Sequence, residues 1–207
     1  MLDKIKDTYL IEKQRIKGFL DSRKHVISDK NKIFFELMFC IAVPQSKAPA
    51  CRACLENIAK SGKLHTTNEK ELSMLLKGIR FPNNKAGFII AARIMFDNIY
   101  DRINTTKNAM NDSSLRTWLA ANVKGIGMKE ASHFLRNIGF GEELAILDIH
   151  ILRAMKELGL IDNMKLTPKR YIEYEKIFQD YAKKLAMKPA ELDITIWLMR
   201  SGNHEII

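Results

Sequence analysis

The sequence predicts an all-α protein on three observations. Apolar residues recur at three- and four-residue spacing in nearly every segment, and no run alternates as a strand does. Capping residues, glycines and prolines divide that pattern into helix-length pieces. Leu2, Ile5, Tyr9, Ile16 and Leu20 mark an amphipathic first helix. "KIFFELMFCIAV" is apolar nearly all round, which predicts a buried helix stopped at Pro44. A third helix is expected from about Pro49 to Lys60, ending at Gly62. A fourth follows "TTNEKE", capped by Thr67 or Asn68, and ends by Gly78. "RFPNN" is expected as a loop and "KAGFIIAARIMFDNIYDRI" as the next helix. Ser113 or Ser114 opens a short helix carrying Leu115, Trp118 and Leu119, and another runs from Met128 to Ile138. Asp148 is placed to cap "IHILRAMKEL", which Gly159 ends. Thr167-Pro168 starts a long helix whose Tyr171, Tyr174, Phe178 and Tyr181 read mostly as core. "PAELDITIWLMRSG" closes the fold.

At 207 residues the chain is long enough for one large domain or two small ones sharing a core, and 46% hydrophobic residues make a packed interior feasible. Lys and Arg number 34 against 24 Asp and Glu, a net charge of +10. That excess favours a polyanionic partner, either nucleic acid or an anionic membrane surface. The three cysteines, Cys40, Cys51 and Cys54, imply no disulfide framework and fit a reducing cytoplasm. Cys51 and Cys54 form a C-x-x-C without a second pair to complete a metal site, so they read as helix residues. "MLDKIKDTYL" is too charged for a signal peptide, and the longest apolar runs fall short of the roughly 20 residues that span a bilayer. A soluble cytoplasmic protein is expected, with no membrane partner.

One stretch carries chemistry. "VKGIGMKEASHFLRNIG", Val123 to Gly139, places Gly-Ile-Gly between two short helices, the layout of a helix–hairpin–helix. Gly125 and Gly127 lack Cβ atoms, so the turn can adopt positive φ and let a phosphate oxygen approach its amides. The unpaired N–H groups and the positive dipole end of the following helix face the same point. Such a hairpin grips a DNA backbone without reading its sequence. The plain alternative is a helix end followed by a tight turn. What argues against it is Lys129, two residues past Gly127, together with Asp148 at another helix start nineteen residues further on.

With those residues the chain resembles the helix–hairpin–helix/Gly-Pro-Asp superfamily of DNA base-excision glycosylases. The likeness is tightest over "LRTWLAANVKGIGMKEASHFLRNIGF" and "AILDIHILRAM". It departs from the superfamily pattern at Lys124, where proline is common, and at "ELAIL", where the aspartate is usually preceded by Gly/Pro. The resemblance implies that Lys129 is the nucleophile and Asp148 completes the catalytic pair. An amine attacking the sugar C1′ as the glycosidic bond breaks gives a Schiff base, and an ionised carboxylate stabilises the cationic sugar. Lys124, the rival amine, precedes the first glycine and is assigned to the DNA backbone with Gly125 and Gly127.

No cysteine follows Cys54, which removes the branches that carry a C-terminal iron–sulfur cluster. "AVPQSKAPACRACLENI", "GIRFPNNKAGFIIAAR" and "LDITIWLMRSG" are similar to the compact archaeal-type, or second-type, 8-oxoguanine DNA glycosylase/lyase, and the resemblance then covers Ile33 to the C-terminus. It implies two helical subdomains with a base-binding cleft between them, one of residues 1–32 plus 149–207 and one of 33–148 carrying the hairpin at about 114–138. It also implies a monomeric, nucleoid-associated enzyme needing no metal or cofactor. Its partner would be double-stranded DNA containing 8-oxoguanine, excised opposite cytosine and followed by β-elimination. Gln45 is expected to fill the gap left by the extruded base, Phe81 to wedge beside the orphaned partner, and Trp197 to stack on the extruded purine, with core packing the alternative for Phe81 and Trp197 and a loop cap the alternative for Gln45. The subfamily often ends in lysine; this chain ends "NHEII", leaving the terminal carboxylate of Ile207 for base recognition. His133 and His150 read as structural. A glycosylase for another oxidised base, or a non-catalytic DNA-binding hairpin, remains open from sequence.

Overall fold

The computed structural model describes residues 1–109 and 112–201, and every regular element among them is helical. In order these are α1 (Leu2–Arg23), α2 (Lys30–Ala42), α3 (Ala48–Lys60), α4 (Glu69–Leu75), α5 (Pro82–Ile94) and α6 (Phe96–Ala109). They continue as α7 (Asp112–Asn122), α8 (Met128–Asn137), α9 (Ile149–Glu157), α10 (Pro168–Lys184) and α11 (Pro189–Ser201), with a single 3-10 turn at Val26–Ser28. No helix of the described residues is long and apolar enough to cross a membrane. The chain forms two compact units, one of Met1–Val26 with the described residues from Leu135 onward, the other of Ile27–Phe134.

In the first unit α11 packs on α1, α9 and α10. The expected stripe of α1 is buried at Ile5, Tyr9, Ile16 and Leu20. Leu192, Ile194 and Ile196 supply the facing side chains of α11. Tyr171, Tyr174 and Phe178 of α10 are core, as their spacing predicts, whereas Tyr181 at the end of the series is partly exposed. Each fully buried side chain of this size contributes about 1.5–3 kcal/mol. After α8 the chain passes close against the end of α1. A Cβ on Gly139 would sit 2.6 Å from the Lys24 Cα, so only glycine fits there.

In the second unit α2 packs on α3 and α5. Its sequence is apolar all round because nine of its residues, Ile33, Phe34, Glu36, Leu37, Met38, Phe39, Cys40, Ile41 and Ala42, are buried. The one buried charge among them, Glu36, accepts a fork of hydrogen bonds from Arg52 of α3 at 3.1 and 3.2 Å, which offsets its desolvation. Cys51 and Cys54 lie on α3, and each thiol donates to a carbonyl, that of Ala42 and of Leu75. Asn68 caps α4 by accepting from Glu71 N, while Thr67 instead accepts from the Arg93 guanidinium.

One expected element is corrected. The segment read as a single helix from Lys85 is two, α5 and α6, and α5 begins three residues earlier at Pro82, inside the expected loop. Proline suits a first helical position, where its missing N–H has no partner to lose. The break falls at Met95, whose N–H is shared between the carbonyls of Ala91 and Arg93. Ala86, Ile89 and Ala92 before the break and Phe96, Ile99 and Ile103 after it stay buried at helical spacing. A one-residue break therefore leaves no mark on the apolar pattern.

Candidate active site

Residues Val123–Gly127 join α7 to α8 and fold as the expected hairpin. Val123 and Ile126 turn inward and are buried, and Ile126 N donates to Val123 O at 3.2 Å. Gly125 has φ +83, and a Cβ there would lie 2.6 Å from Phe88 Cδ2 on α5. Glycine is required at this position by conformation and by packing at once. Gly127 is not left-handed; its missing Cβ leaves room for the Glu130 carboxylate, 3.1 Å from where a Cβ would be. The positive φ expected of the pair thus belongs to Gly125 alone. The two helices are braced by Arg116 of α7, fully buried, which donates to Ser132 Oγ of α8 at 3.5 Å.

Lys129 stands in the first turn of α8 with its side chain 32% exposed, and its Nζ is 3.0 Å from Glu130 Oε1. The other oxygen of Glu130 accepts from Gly127 N at 3.3 Å. One carboxylate therefore holds the amine and closes the helix start, the second half of a capping box. Sequence reasoning missed Glu130, although its position three residues after Gly127 is the signal for such a cap. Lys124 is exposed at the tip of the turn. His133, on the same helix, meets the Phe39 ring edge-on at 5.7 Å, a packing role as expected.

Asp148 caps α9, and its Oδ1 accepts from His150 N at 2.8 Å and Ile151 N at 2.9 Å. The strap before it, Leu144–Leu147, is buried and pinned residue by residue. Ala145 N donates to Glu175 Oε1 at 2.9 Å, and Ala145 O accepts from the Tyr171 hydroxyl at 2.8 Å. The same hydroxyl accepts from Leu147 N at 3.2 Å, and Ile146 N donates to Asp193 Oδ2 at 2.6 Å. Asp193 is itself held by Arg136 at 3.0 Å. Burial pushes its carboxyl up to about 6, against the pull of Arg136 and the Ile146 N–H, and the charge of Asp148 adds to the rise. Where the superfamily pattern carries Gly/Pro, this chain carries apolar residues, and buried polar side chains satisfy the backbone of the strap. Helical spacing reads Tyr171 only as core and assigns nothing to Glu175 or Asp193, whose partners lie far along the chain.

Gln45 and Phe81 occupy two loops of the second unit, between α2 and α3 and ahead of α5. Both are exposed, Phe81 by 50%, and both are left-handed with φ 59 and 58. Phe81 is therefore not core. Its ring lies 5.7 Å from the Arg80 guanidinium. The loops touch through Arg80 N, which donates to Ser46 Oγ at 3.0 Å. Trp197 sits on α11 in the first unit and is partly buried. Ile207 lies outside the described residues. The hairpin residues Lys124, Gly125, Gly127 and Lys129 are thus together on one turn, Gln45 and Phe81 on two joined loops, and Asp148 and Trp197 on helices of the first unit.

A family model described as 8-oxoguanine DNA glycosylase matches residues 12–187. An 8-oxoguanine DNA glycosylase/AP lyase of Fusobacterium nucleatum is 37% identical over 196 residues, covering 92% of this chain and 88% of that protein. One from Methanocaldococcus jannaschii is 36% identical over 205 residues, 96% of this chain and 97% of its own. Among solved structures, the Methanocaldococcus jannaschii 8-oxoguanine glycosylase/lyase in complex with a 15mer DNA containing 8-oxoguanine superposes with a TM-score of 0.89 at 33% identity, covering 100% of both chains.

Proposed function

The chain belongs to the 8-oxoguanine DNA glycosylase family, and from that premise we propose that it excises 8-oxoguanine from duplex DNA and nicks the resulting abasic strand as an AP lyase. The observation that carries the reading is the amine of Lys129 at the glycine turn, partly exposed and held by a carboxylate that also caps the helix. In this mechanism the Lys129 amine, having lost a proton, attacks C1′ of the extruded nucleotide. The glycosidic bond breaks and the base leaves with its electron pair, taking up a proton. The C1′–N adduct opens to an imine, loss of a C2′ proton expels the 3′ phosphate, and water frees the lysine. Asp148, fixed by two backbone N–H groups and a pinned strap, supplies negative charge as the sugar becomes cationic.

The remaining roles follow the same reading. Lys124 and the amides of Gly125 and Gly127 contact the DNA backbone; the Gly127 amide is released to a phosphate when Glu130 gives it up. Gln45 and Phe81 enter the duplex where the base has left, and Trp197 stacks on that base. The enzyme acts as a monomer on nucleoid DNA in the cytoplasm. A panel of duplexes, each with one lesion, tests the substrate. Incision of the 8-oxoguanine duplex well above oxidised-pyrimidine and undamaged duplexes is expected. Preference for an oxidised pyrimidine would reassign the substrate, and no incision of any duplex would remove the enzymatic reading.

A further inference from the structure

Lys85 is a lysine in the first turn of α5, 5% exposed, and thus buried where lysine seldom is. Its ammonium donates to Ala42 O at 2.6 Å, Pro44 O at 2.7 Å and Ser46 Oγ at 3.1 Å. All three donors of the group are used, and two go to carbonyls at and just beyond the C-terminus of α2. Those carbonyls have no partner within the helix and lie at the negative end of its dipole. Burial lowers the affinity of the amine for its proton, with Arg80 adding to that effect and Cys51 opposing it. Its backbone N–H donates to Phe81 O at 3.1 Å. Ser46 is a second link, since its hydroxyl also accepts from Arg80 N at 3.0 Å.

What this knot holds is specific. Among the described residues only Gln45, Phe81 and Ala186 are non-glycines with positive φ, and two of the three lie in the loops that Lys85 and Ser46 tie together. A left-handed non-glycine costs about 1–3 kcal/mol and persists only where its surroundings impose it. Both side chains so displayed point away from the core: Gln45 is exposed and Phe81 is 50% exposed. A loop needed only to connect α2 to α3 could relax to ordinary φ.

We propose that Lys85 is a positioning residue for base extrusion, holding Gln45 and Phe81 as one rigid wedge through the ends of the two loops. The proposal rests on the reading above that these two side chains enter the duplex. It requires Lys85 to act through them, and that is measurable as non-additivity. Single-turnover excision of 8-oxoguanine is measured for Lys85→Met in the native background and in a Gln45→Ala/Phe81→Ala background. Fluorescence of 2-aminopurine placed beside the lesion reports local unstacking in the same variants. Lys85→Met is expected to slow excision about tenfold or more in the native background and about twofold or less where the wedge is already gone. The fluorescence rise on binding should fall with it. If Lys85→Met folds poorly, Ser46→Ala removes one acceptor and the Arg80 link, and a smaller loss with the same non-additivity is expected. Equal slowing in both backgrounds would reduce Lys85 to a fold-supporting lysine and overturn the proposal. So would a Gln45→Ala/Phe81→Ala protein that excises at the wild-type rate. Failure of the wild-type chain to excise 8-oxoguanine would instead sink the functional reading itself, so the two failures are told apart.

Discussion

Asp148 and Gly125 show how one residue type can be demanded twice. As a cap, Asp148 accepts from two backbone N–H groups, a task that asparagine performs nearly as well. In its proposed role as partner to a cationic sugar it must carry charge, which asparagine does not. Asp148→Asn should therefore keep the melting temperature and DNA affinity while slowing base release by about 10²–10³, the cost of losing one electrostatic contact of this kind. A single-turnover rate near wild type would leave Asp148 as a cap only. Gly125 separates in the same way, by a left-handed φ and by a Cβ position overlapping Phe88 Cδ2 at 2.6 Å. Gly125→Ala should lower stability by more than the roughly 1 kcal/mol of a simple glycine-to-alanine mismatch, because φ and packing both object. Adding Phe88→Ala, compared with Phe88→Ala alone, should recover the packing part and not the conformational part. If Gly125→Ala melts with the wild type in chemical denaturation, the turn is not as tight as described.

At the scale of elements, the strap that leads into α9 is the least legible part of the site and the most heavily pinned. Caps and apolar periodicity are local, so Thr167 and Asp148, the choice of Thr67 or Asn68 ahead of α4, the stripes of α1 and α10 and the all-round burial of α2 could be read from sequence alone. The α5–α6 break could not, since the buried stripe runs through it unchanged. Nor could Lys85, which meets carbonyls some forty positions earlier in the chain, or Asp193, which meets Ile146 N from α11. Long-range polar contacts of this kind have no period. Asp193 gives the strap a pH signature. Its folded value of about 6 lies above the unfolded 3.8, so between about 4 and 6 the folded state binds the extra proton. Its contribution to stability therefore falls as pH rises through that window and stays low above it. The difference in unfolding free energy between wild type and Asp193→Asn, measured by denaturation from pH 4 to 7, should drop as pH rises and level off above about 6. A difference that climbs with pH would contradict the raised value.

For the whole molecule, the excess of basic residues is the coarsest feature and predicts the coarsest behaviour. A net charge of +10, with Lys124 exposed on the hairpin, favours phosphates, so binding should weaken steeply with salt, with a slope of about −0.9 in log K against log salt for each phosphate neutralised. Lys124→Gln should make that slope shallower by about one contact and weaken damaged and undamaged duplexes alike. A flat response to salt would argue against a polyanionic partner. The proposed chemistry joins the Lys129 amine covalently to DNA. Borohydride reduces the imine to a stable amine, so enzyme mixed with an 8-oxoguanine duplex and borohydride should yield a protein–DNA adduct. Lys129→Gln should bind that duplex and give no adduct, while Lys124→Gln should give one. An undiminished adduct from Lys129→Gln, with loss in Lys124→Gln, would assign the chemistry to the other lysine and contradict the account.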